Sequence, residues 1–140
     1  MRIKKILVPV DGSEPSLTAV EHAAELAALS GASILLLHCH KPVPTTLGEP
    51  NFQLVLDRLM ADAELVIEIG RAPLDGKGVA HASKVIGGNT AQIIVEVADI
   101  EGFDLIVMGS RGLGGVKGLL LGSVTHKVLQ AASCPVLVVR

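Results

Sequence analysis

Residues 105–125 read LIVMGSRGLGGVKGLLLGSVT, an apolar run followed by a glycine-rich segment and then by the first residues of a helical pattern. The run 105–108 is apolar at every position, which is typical of a parallel strand that is buried on both faces. Glycines let the backbone approach a ligand closely, and successive N–H groups form a nest for anions. The N-terminus of the following helix would add free amides and partial positive charge. This strand–loop–helix unit therefore predicts a polyphosphate site, to which the hydroxyls of Ser123 and Thr125 can donate.

Two common phosphate-binding loops are excluded by the spacing within this segment. The Walker pattern GxxxxGK[ST] is absent, because Lys117 precedes Gly118 and neither Ser nor Thr follows. The dinucleotide pattern GxGxxG fails as well, because Lys117 stands where a third glycine after Gly112 and Gly114 is needed. On the residues alone, a glycine-rich loop that binds no ligand stays open as the alternative.

The rest of the chain repeats the alternation of apolar runs with helical patterns. The runs predict strands at 6–10, 33–37, 79–86, 105–108 and 136–139. Between them the 3.6-residue periodicity and the capping residues predict helices at about 14–30, 51–69, 90–100 and 123–132. Strands separated by helices favour a parallel sheet with helices on both faces. The run 79–86 carries His81, Ser83 and Lys84 and is predicted to be an edge strand.

Each predicted helix has an apolar stripe that we expect to face the sheet. In the third helix the stripe consists of Ile93, Ile94, Val97 and Ile100. In the fourth it consists of Val124, Val128, Leu129 and Ala132.

Composition excludes several classes of protein. The chain has 140 residues, 49% of them hydrophobic, and a formal net charge of -2. This size and composition predict one folded domain, and the charge excludes broad attraction to nucleic acid or to anionic lipid. With no Trp, no Tyr and two Phe, the chain lacks a platform for stacking bases. The apolar stretch before Pro9 is too brief for a signal sequence or a membrane span, so we expect a cytoplasmic protein.

Three further residue groups could carry chemistry. Asp11, at the end of the first strand, could bind ribose hydroxyls or a metal on phosphates, or 11–13 could be only a turn and helix cap. His38 and His40 point the same way along a strand, but no further metal ligands are evident, so no metal site is predicted. Cys39 and Cys134 fit no zinc-ligand spacing and are expected to be buried free thiols.

Together these motifs resemble the universal stress protein family. The family motif G-x2-G-x9-G-[ST] is met by Gly109, Gly112, Gly122 and Ser123. The run 6–13, with its acidic residue, resembles the first strand of the family, and 36–39 resembles the end of its second strand, where Val stands more often than Cys39. The segments 104–109 and 134–140 resemble its last two strands, so that the resemblance covers the whole chain.

The resemblance implies an α/β fold and a nucleotide site. It implies one domain over 1–140, with a single open, mostly parallel five-stranded sheet in the order 3-2-1-4-5 (Rossmann-like, of the adenine nucleotide alpha hydrolase-like type). It implies that ATP or another adenine nucleotide binds, together with Mg2+. The residues that it assigns to this ligand are Pro9, Val10, Asp11, Cys39, Met108, Gly109, Arg111, Gly112, Gly122, Ser123, Val124 and Thr125. It also implies a homodimer that pairs through Val136, Leu137, Val138 and Val139.

The leading functional hypothesis is a nucleotide-binding regulatory module of the stress response with little or slow hydrolysis. The cations of the glycine-rich segment are Arg111 and Lys117, and that segment contains no Glu and no second Asp. Efficient ATP hydrolysis needs a positioned base and strong charge stabilisation, so no catalytic residue is predicted. Nucleotide would order 113–121 and so change the surface offered to partners. The alternatives are a dimeric scaffold that binds no nucleotide, a weak ATPase and a thiol-redox protein.

Overall fold

Strands and helices alternate along the chain in the computed structural model, which describes residues 2–112 and 121–140. The strands are β1 (Lys5–Pro9), β2 (Ser33–His40), β3 (His81–Gly87), β4 (Leu105–Gly109) and β5 (Val136–Val139). The helices are α1 (Glu14–Ser30), α2 (Asn51–Arg71), α3 (Thr90–Ile100) and α4 (Ser123–Ala131), with short 3-10 turns at Thr45–Leu47 and Ala72–Leu74.

The five strands form one sheet in the order β3-β2-β1-β4-β5, and every neighbouring pair is parallel. The register places Leu7 of β1 beside Leu35 of β2 and Ile106 of β4. The predicted fold class and strand order are therefore confirmed. The polar strand β3 lies at one edge of the sheet, as its composition predicts, and β5 lies at the other.

Alternate residues of the central strands enter two apolar layers. Ile6 and Val8 of β1 pack on one face with α1 and α2, whereas Leu7 packs on the other face with α3 and α4. Both layers are buried, so the runs 6–8, 34–37 and 105–108 of the central strands are apolar at every position. Ser13 caps α1 by accepting a hydrogen bond from the Ser16 amide, and Gly31 ends that helix in the left-handed conformation.

Strand β2 is longer than its apolar run. The apolar run ends at Leu37, but β2 includes His38 and His40, as expected from the sequence, because β3 pairs with it from Ile34 opposite His81 to His40 opposite Gly87. The pairing with an edge strand extends a segment whose own residues look polar. As a result, Cys39 lies within the sheet, at the end of the second strand where the sequence placed it.

Two predicted core positions are wrong. Ile100 is 82% exposed and Leu129 is 41% exposed. Ile100 follows the buried Ile93 by seven residues and lies on the same side of α3, but it is the last residue of the helix, so its exposure comes from the helix end and not from its face. Leu129 follows the buried Val128 by about 100° and lies at the margin of the face that α4 packs against the sheet.

Within 2–112 and 121–140, no helix combines the length and the apolar character that crossing a bilayer requires.

Candidate functional site

A cavity of about 540 Å³ opens where the carboxyl ends of β1, β2 and β4 meet the first turn of α4. The volume lies within the range that small-molecule sites occupy. Every residue that the sequence assigned to the ligand lines this cavity, namely Pro9, Val10, Asp11, Cys39, Met108, Gly109, Arg111, Gly112, Gly122, Ser123, Val124 and Thr125. The structure thus brings three separate chain segments together, and their role in binding stays a prediction.

Six lining residues were not predicted from the sequence. They are Ser16, Leu37, His38, Lys41, Thr90 and Ile94. Lys41 follows the carboxyl end of β2, and Thr90 is the first residue of α3, immediately after its capping residue Asn89. Their positions at strand and helix ends were available signals, since ligands of open α/β sheets bind beyond the carboxyl ends of the strands.

The turn and helix-cap role that the sequence left open for Asp11 is present in the structure, whereas its role in binding a ligand stays a prediction. Its Oδ1 accepts a hydrogen bond of 2.9 Å from the Ser13 amide and a second one from the Ser13 hydroxyl. These contacts form the turn that leads into α1. The same carboxylate lines the cavity, where a Cβ placed on Gly112 would lie only 2.4 Å from Oδ2. The turn therefore holds the carboxylate against the glycine-rich segment.

Glycine is needed at the positions of the motif for different steric reasons. A Cβ at Gly109 would lie 2.7 Å from Pro15 Cβ and 2.8 Å from its carbonyl carbon, so glycine lets β4 end directly against the start of α1. A Cβ at Gly122 would meet Arg111 Cα at 3.3 Å. Gly109 thus serves packing, Gly112 leaves room for the Asp11 carboxylate, and Gly122 lets the start of α4 approach the backbone of residues 110–112.

The first turn of α4 presents backbone amides at the cavity. Its capping residue, Gly122, has no side chain that could accept hydrogen bonds from these amides, and the first amides of any α-helix have no partner within the helix. The Thr125 hydroxyl donates a hydrogen bond of 2.8 Å to the Gly109 carbonyl oxygen. Among the predicted hydroxyl donors, Ser123 is consequently the one that remains available, while Thr125 fixes α4 to β4.

The β2 side of the cavity is shaped by His38 and Cys39. Nδ1 of His38 lies 2.8 Å from the Val10 carbonyl oxygen, which requires the ring to donate through this nitrogen and joins β2 to the end of β1. Burial raises the pKa of the Cys39 thiol to about 11, so the side chain is neutral at physiological pH. Burial also raises the pKa of Cys134. Both cysteines are free, and neither has the low pKa that a redox-active thiol needs.

The lining divides into an apolar part and a polar part. Val10, Leu37, Ile94 and Met108 supply apolar surface that suits a planar base. Asp11, Lys41 and Arg111 are the charged side chains among the described lining residues. In the described portion of the chain, no group of three or more His, Cys, Asp or Glu side chains could hold a metal ion by itself. The segment 113–120, with Lys117 and the predicted ordering by nucleotide, lies outside the described residues.

Comparisons with known proteins agree on one family. The model of the universal stress protein family matches residues 2–140. A universal stress protein of Thermus aquaticus, encoded in the QAH/OAS sulfhydrylase 3' region, is 43% identical over 137 residues, which cover 98% of each chain.

Solved structures agree with that result. The structure of protein MJ0577, from Methanocaldococcus jannaschii, superposes with a TM-score of 0.89 at 32% identity and covers 99% of this chain and 96% of that one. A universal stress protein in complex with cAMP has a TM-score of 0.73 at 26% identity, over 100% of this chain and 99% of the other.

Proposed function

The chain belongs to the universal stress protein family, and we propose that it is a cytoplasmic regulatory module of the stress response that binds ATP or another adenine nucleotide. We propose further that one domain spans residues 1–140. The observation that carries the proposal is the cavity where the ends of β1, β2 and β4 meet the first turn of α4. The free thiols of Cys39 and Cys134 are typical of a reducing compartment and support the cytoplasmic location.

The two parts of the cavity fit the two parts of a nucleotide. The adenine lies against Val10, Met108 and the backbone of Cys39, and the phosphates lie at Gly122, Ser123 and the first amides of α4. Helix N-termini bind phosphate through these amides and their partial positive charge. The related protein that was solved with cAMP supports a ligand of the adenine class.

A magnesium ion fits this arrangement as a companion of the nucleotide. Mg2+ prefers hard oxygen ligands and is usually held by one or two carboxylates, substrate phosphates and water. The cavity offers the Asp11 carboxylate and the Ser123 hydroxyl. Since the described residues form no three-ligand cluster, the phosphates of the nucleotide and water would supply most of the ligands of the ion. The ion would neutralise phosphate charge.

Hydrolysis is expected to be slow. The carboxylate among the described lining residues is Asp11, and Ser13 holds its Oδ1 through two hydrogen bonds. An efficient hydrolase needs a base that can take a proton from water, together with strong stabilisation of the γ-phosphate. A regulatory role in which nucleotide occupancy is the signal agrees better with this chemistry than turnover does.

Titration calorimetry with ATP and Mg2+ tests the proposal. We expect a dissociation constant in the micromolar range, which corresponds to about 8 kcal/mol. Gly122→Val places a branched side chain against Arg111 and Ser110 and should abolish the heat of binding. Ala28→Val, on the exposed side of α1, is the matched control and should bind as the wild type does. No heat with any adenine nucleotide, or equal binding by both variants, would refute the proposal.

We also propose that two copies pair through β5. This strand forms the edge of the sheet beside β4. Val136 and Val138 are half-buried, and Leu137 is 38% exposed, so the edge is apolar and accessible. Such edges promote pairing with another strand. Sedimentation equilibrium should show a dimer that Leu137→Lys dissociates and that Leu29→Lys leaves intact; a wild-type monomer would exclude this interface.

A further inference from the structure

The outer face of α2 carries an exposed apolar stripe. Leu54 is 63% exposed, Leu65 is 64% exposed and Ile69 is 50% exposed. With the exposed Ala61, their spacing of four and seven residues places them on one side of the helix. The stripe extends over about 22 Å, as 1.5 Å per residue predicts.

The alignment distinguishes this stripe from the other exposed apolar side chains. Leu29 and Ile100 are more exposed, at 87% and 82%, but each stands near the C-terminal end of its helix without an aligned partner. Isolated apolar side chains are normal on protein surfaces, whereas aligned ones mark contact sites. The opposite face of α2 is already used, since Ala63, Ile67 and Gly70 are buried. The stripe is therefore left over after the helix has packed on its own domain.

Acidic side chains form one edge of the stripe. Asp57, Glu64 and Glu68 lie on this side of the helix at a spacing of seven and four residues, and all three are exposed. Gln53 donates a hydrogen bond of 2.7 Å to Asp57, and Arg71 pairs with Glu68 at 3.0 Å. Within 2–112 and 121–140, Glu64 makes no ion pair.

Arg58 lies within the stripe, four residues after Leu54 and seven before Leu65, and Asp62 lies at the opposite edge. Both side chains are exposed, and the structure pairs neither of them with another described residue. Over its whole length, α2 carries four carboxylates and two cations, so its net charge is negative. The carboxylates are Asp57, Asp62, Glu64 and Glu68, and the cations are Arg58 and Arg71.

This charge pattern disfavours a second copy of the chain as the occupant. Two antiparallel copies of α2 would place like edges together, so that Asp57 and Glu64 of one copy would face the same carboxylates of the other. The stripe is also narrow compared with the roughly 800 Å² per partner that a stable protein interface buries. A single helix with apolar residues on one side and cations beside them matches both the width and the charge of the surface.

We propose that the stripe of Leu54, Ala61, Leu65 and Ile69 is a docking surface for a basic amphipathic helix of a partner protein. The leucines of the partner helix pack on the stripe, and its Lys or Arg side chains lie along the acidic edge. Binding by an apolar face with charged flanks is a common mode of helix recognition. The proposal does not depend on nucleotide binding.

The probe is a synthetic helical peptide of about 20 residues with leucines at spacings of three and four and lysines on both sides of them. Its control has the same leucines and glutamates in place of the lysines. Fluorescence anisotropy of the labelled peptides is recorded against the full chain. We expect the lysine peptide to bind at least about tenfold more tightly than the glutamate peptide. Equal binding of the two peptides, or no binding of either, would overturn the proposal.

Variants locate the surface. Leu65→Gln removes the centre of the stripe at an exposed position and should weaken binding of the lysine peptide by about tenfold. Leu29→Gln, at an exposed leucine of α1, should have no effect. Glu64→Lys should weaken the lysine peptide and strengthen the glutamate peptide. If sedimentation of the free protein shows an oligomer that Leu65→Gln dissociates, a second copy occupies the stripe and the proposal is wrong.

Discussion

Asp11 joins the start of α1 to the glycine-rich segment, and Gly112 is the residue that leaves room for it. A Cβ at Gly112 would lie 2.4 Å from Asp11 Oδ2, and no positive φ at Gly112 hinders a side chain there. Gly112→Ala should therefore displace the carboxylate and weaken ATP binding by about tenfold in calorimetry.

A double-mutant cycle separates this clash from other effects of Gly112→Ala. If the displaced carboxylate is the cause, Gly112→Ala should add little to the loss that Asp11→Ala produces alone, because coupled residues are not additive. Additive losses from the two substitutions would show that Gly112 acts independently of Asp11.

Cys39 stands where the family more often has Val, and the structure shows its side chain half-buried in the cavity wall. Since the proposed contact with adenine is made by the backbone, Cys39→Val should bind ATP within about twofold of the wild type. A tenfold loss would show that the thiol itself contacts the ligand.

The thiol of Cys39 also predicts a pH effect on stability. Its pKa is raised from 9.0 to about 11 by burial, so the folded state holds the proton more tightly than the unfolded state. Stability should therefore fall as pH rises from about 9 towards 11. Over this pH interval, the melting temperature of the wild type should fall further than that of Cys39→Val. Identical pH profiles of the two melting temperatures would contradict the burial of the thiol.

At the level of elements, a side chain strengthens the pairing of β1 with β4. The two strands pair at Ile6 with Leu105 and at Leu7 with Ile106. Beyond this pairing, Asp104 Oδ2 accepts hydrogen bonds from the amides of Lys4 at 2.9 Å and Lys5 at 3.0 Å. These two backbone bonds, helped by the charges of the same lysines, hold the pKa of Asp104 below its usual value.

The lowered pKa of Asp104 predicts acid sensitivity. Its contribution to stability is present above the unfolded pKa of about 3.9 and is lost as pH falls through the lower folded value. The melting temperature of Asp104→Asn should lie below that of the wild type at pH 7, and the difference should narrow below about pH 4. The melting temperature of Asp75→Asn, at an exposed carboxylate, should equal that of the wild type at every pH. If the melting temperature of Asp104→Asn differed from the wild type by the same amount at every pH, the lowered pKa would not be the cause.

Helices and strands were predictable from the sequence where residues that are close together in the chain decide the secondary structure. The interiors of the central strands, at 6–8, 34–37 and 105–108, are apolar at every position because both of their faces are covered, and this pattern is visible in the sequence. The end of β2 is not visible in its composition, because pairing with β3 keeps the polar His38 and His40 in the sheet. Leu129 was misplaced because helical periodicity locates a face but not its margin.

For the molecule as a whole, the sequence alternation predicts a parallel sheet, but the strand order came from the resemblance to the family. Strand order depends on which segments meet across long distances, and local patterns contain no such information. The residues of the candidate site divide in the same way, into those that the sequence indicates and those that the fold brings together. The glycine-rich segment was predicted from its residues and Asp11 was assigned to the ligand by the resemblance, whereas Lys41 and Thr90 enter the cavity because the fold brings β2, α3 and α4 together.

The cavity is built from segments that are far apart in the chain, so a ligand that contacts all of them should stabilise the entire fold. ATP at about 100 times its dissociation constant adds about 2.7 kcal/mol to the stability of the folded state. For a domain of this size, that gain corresponds to an increase of about 8–10 °C in melting temperature. Scanning calorimetry with ATP and Mg2+ should show this increase for the wild type and for Ala28→Val, and none for Gly122→Val. GTP should have a smaller effect, since the apolar wall and the β2 backbone are proposed to select adenine. A wild-type melting temperature that ATP leaves unchanged would favour a family member that acts without nucleotide, because no ligand can bind the folded state alone and leave its stability unaltered.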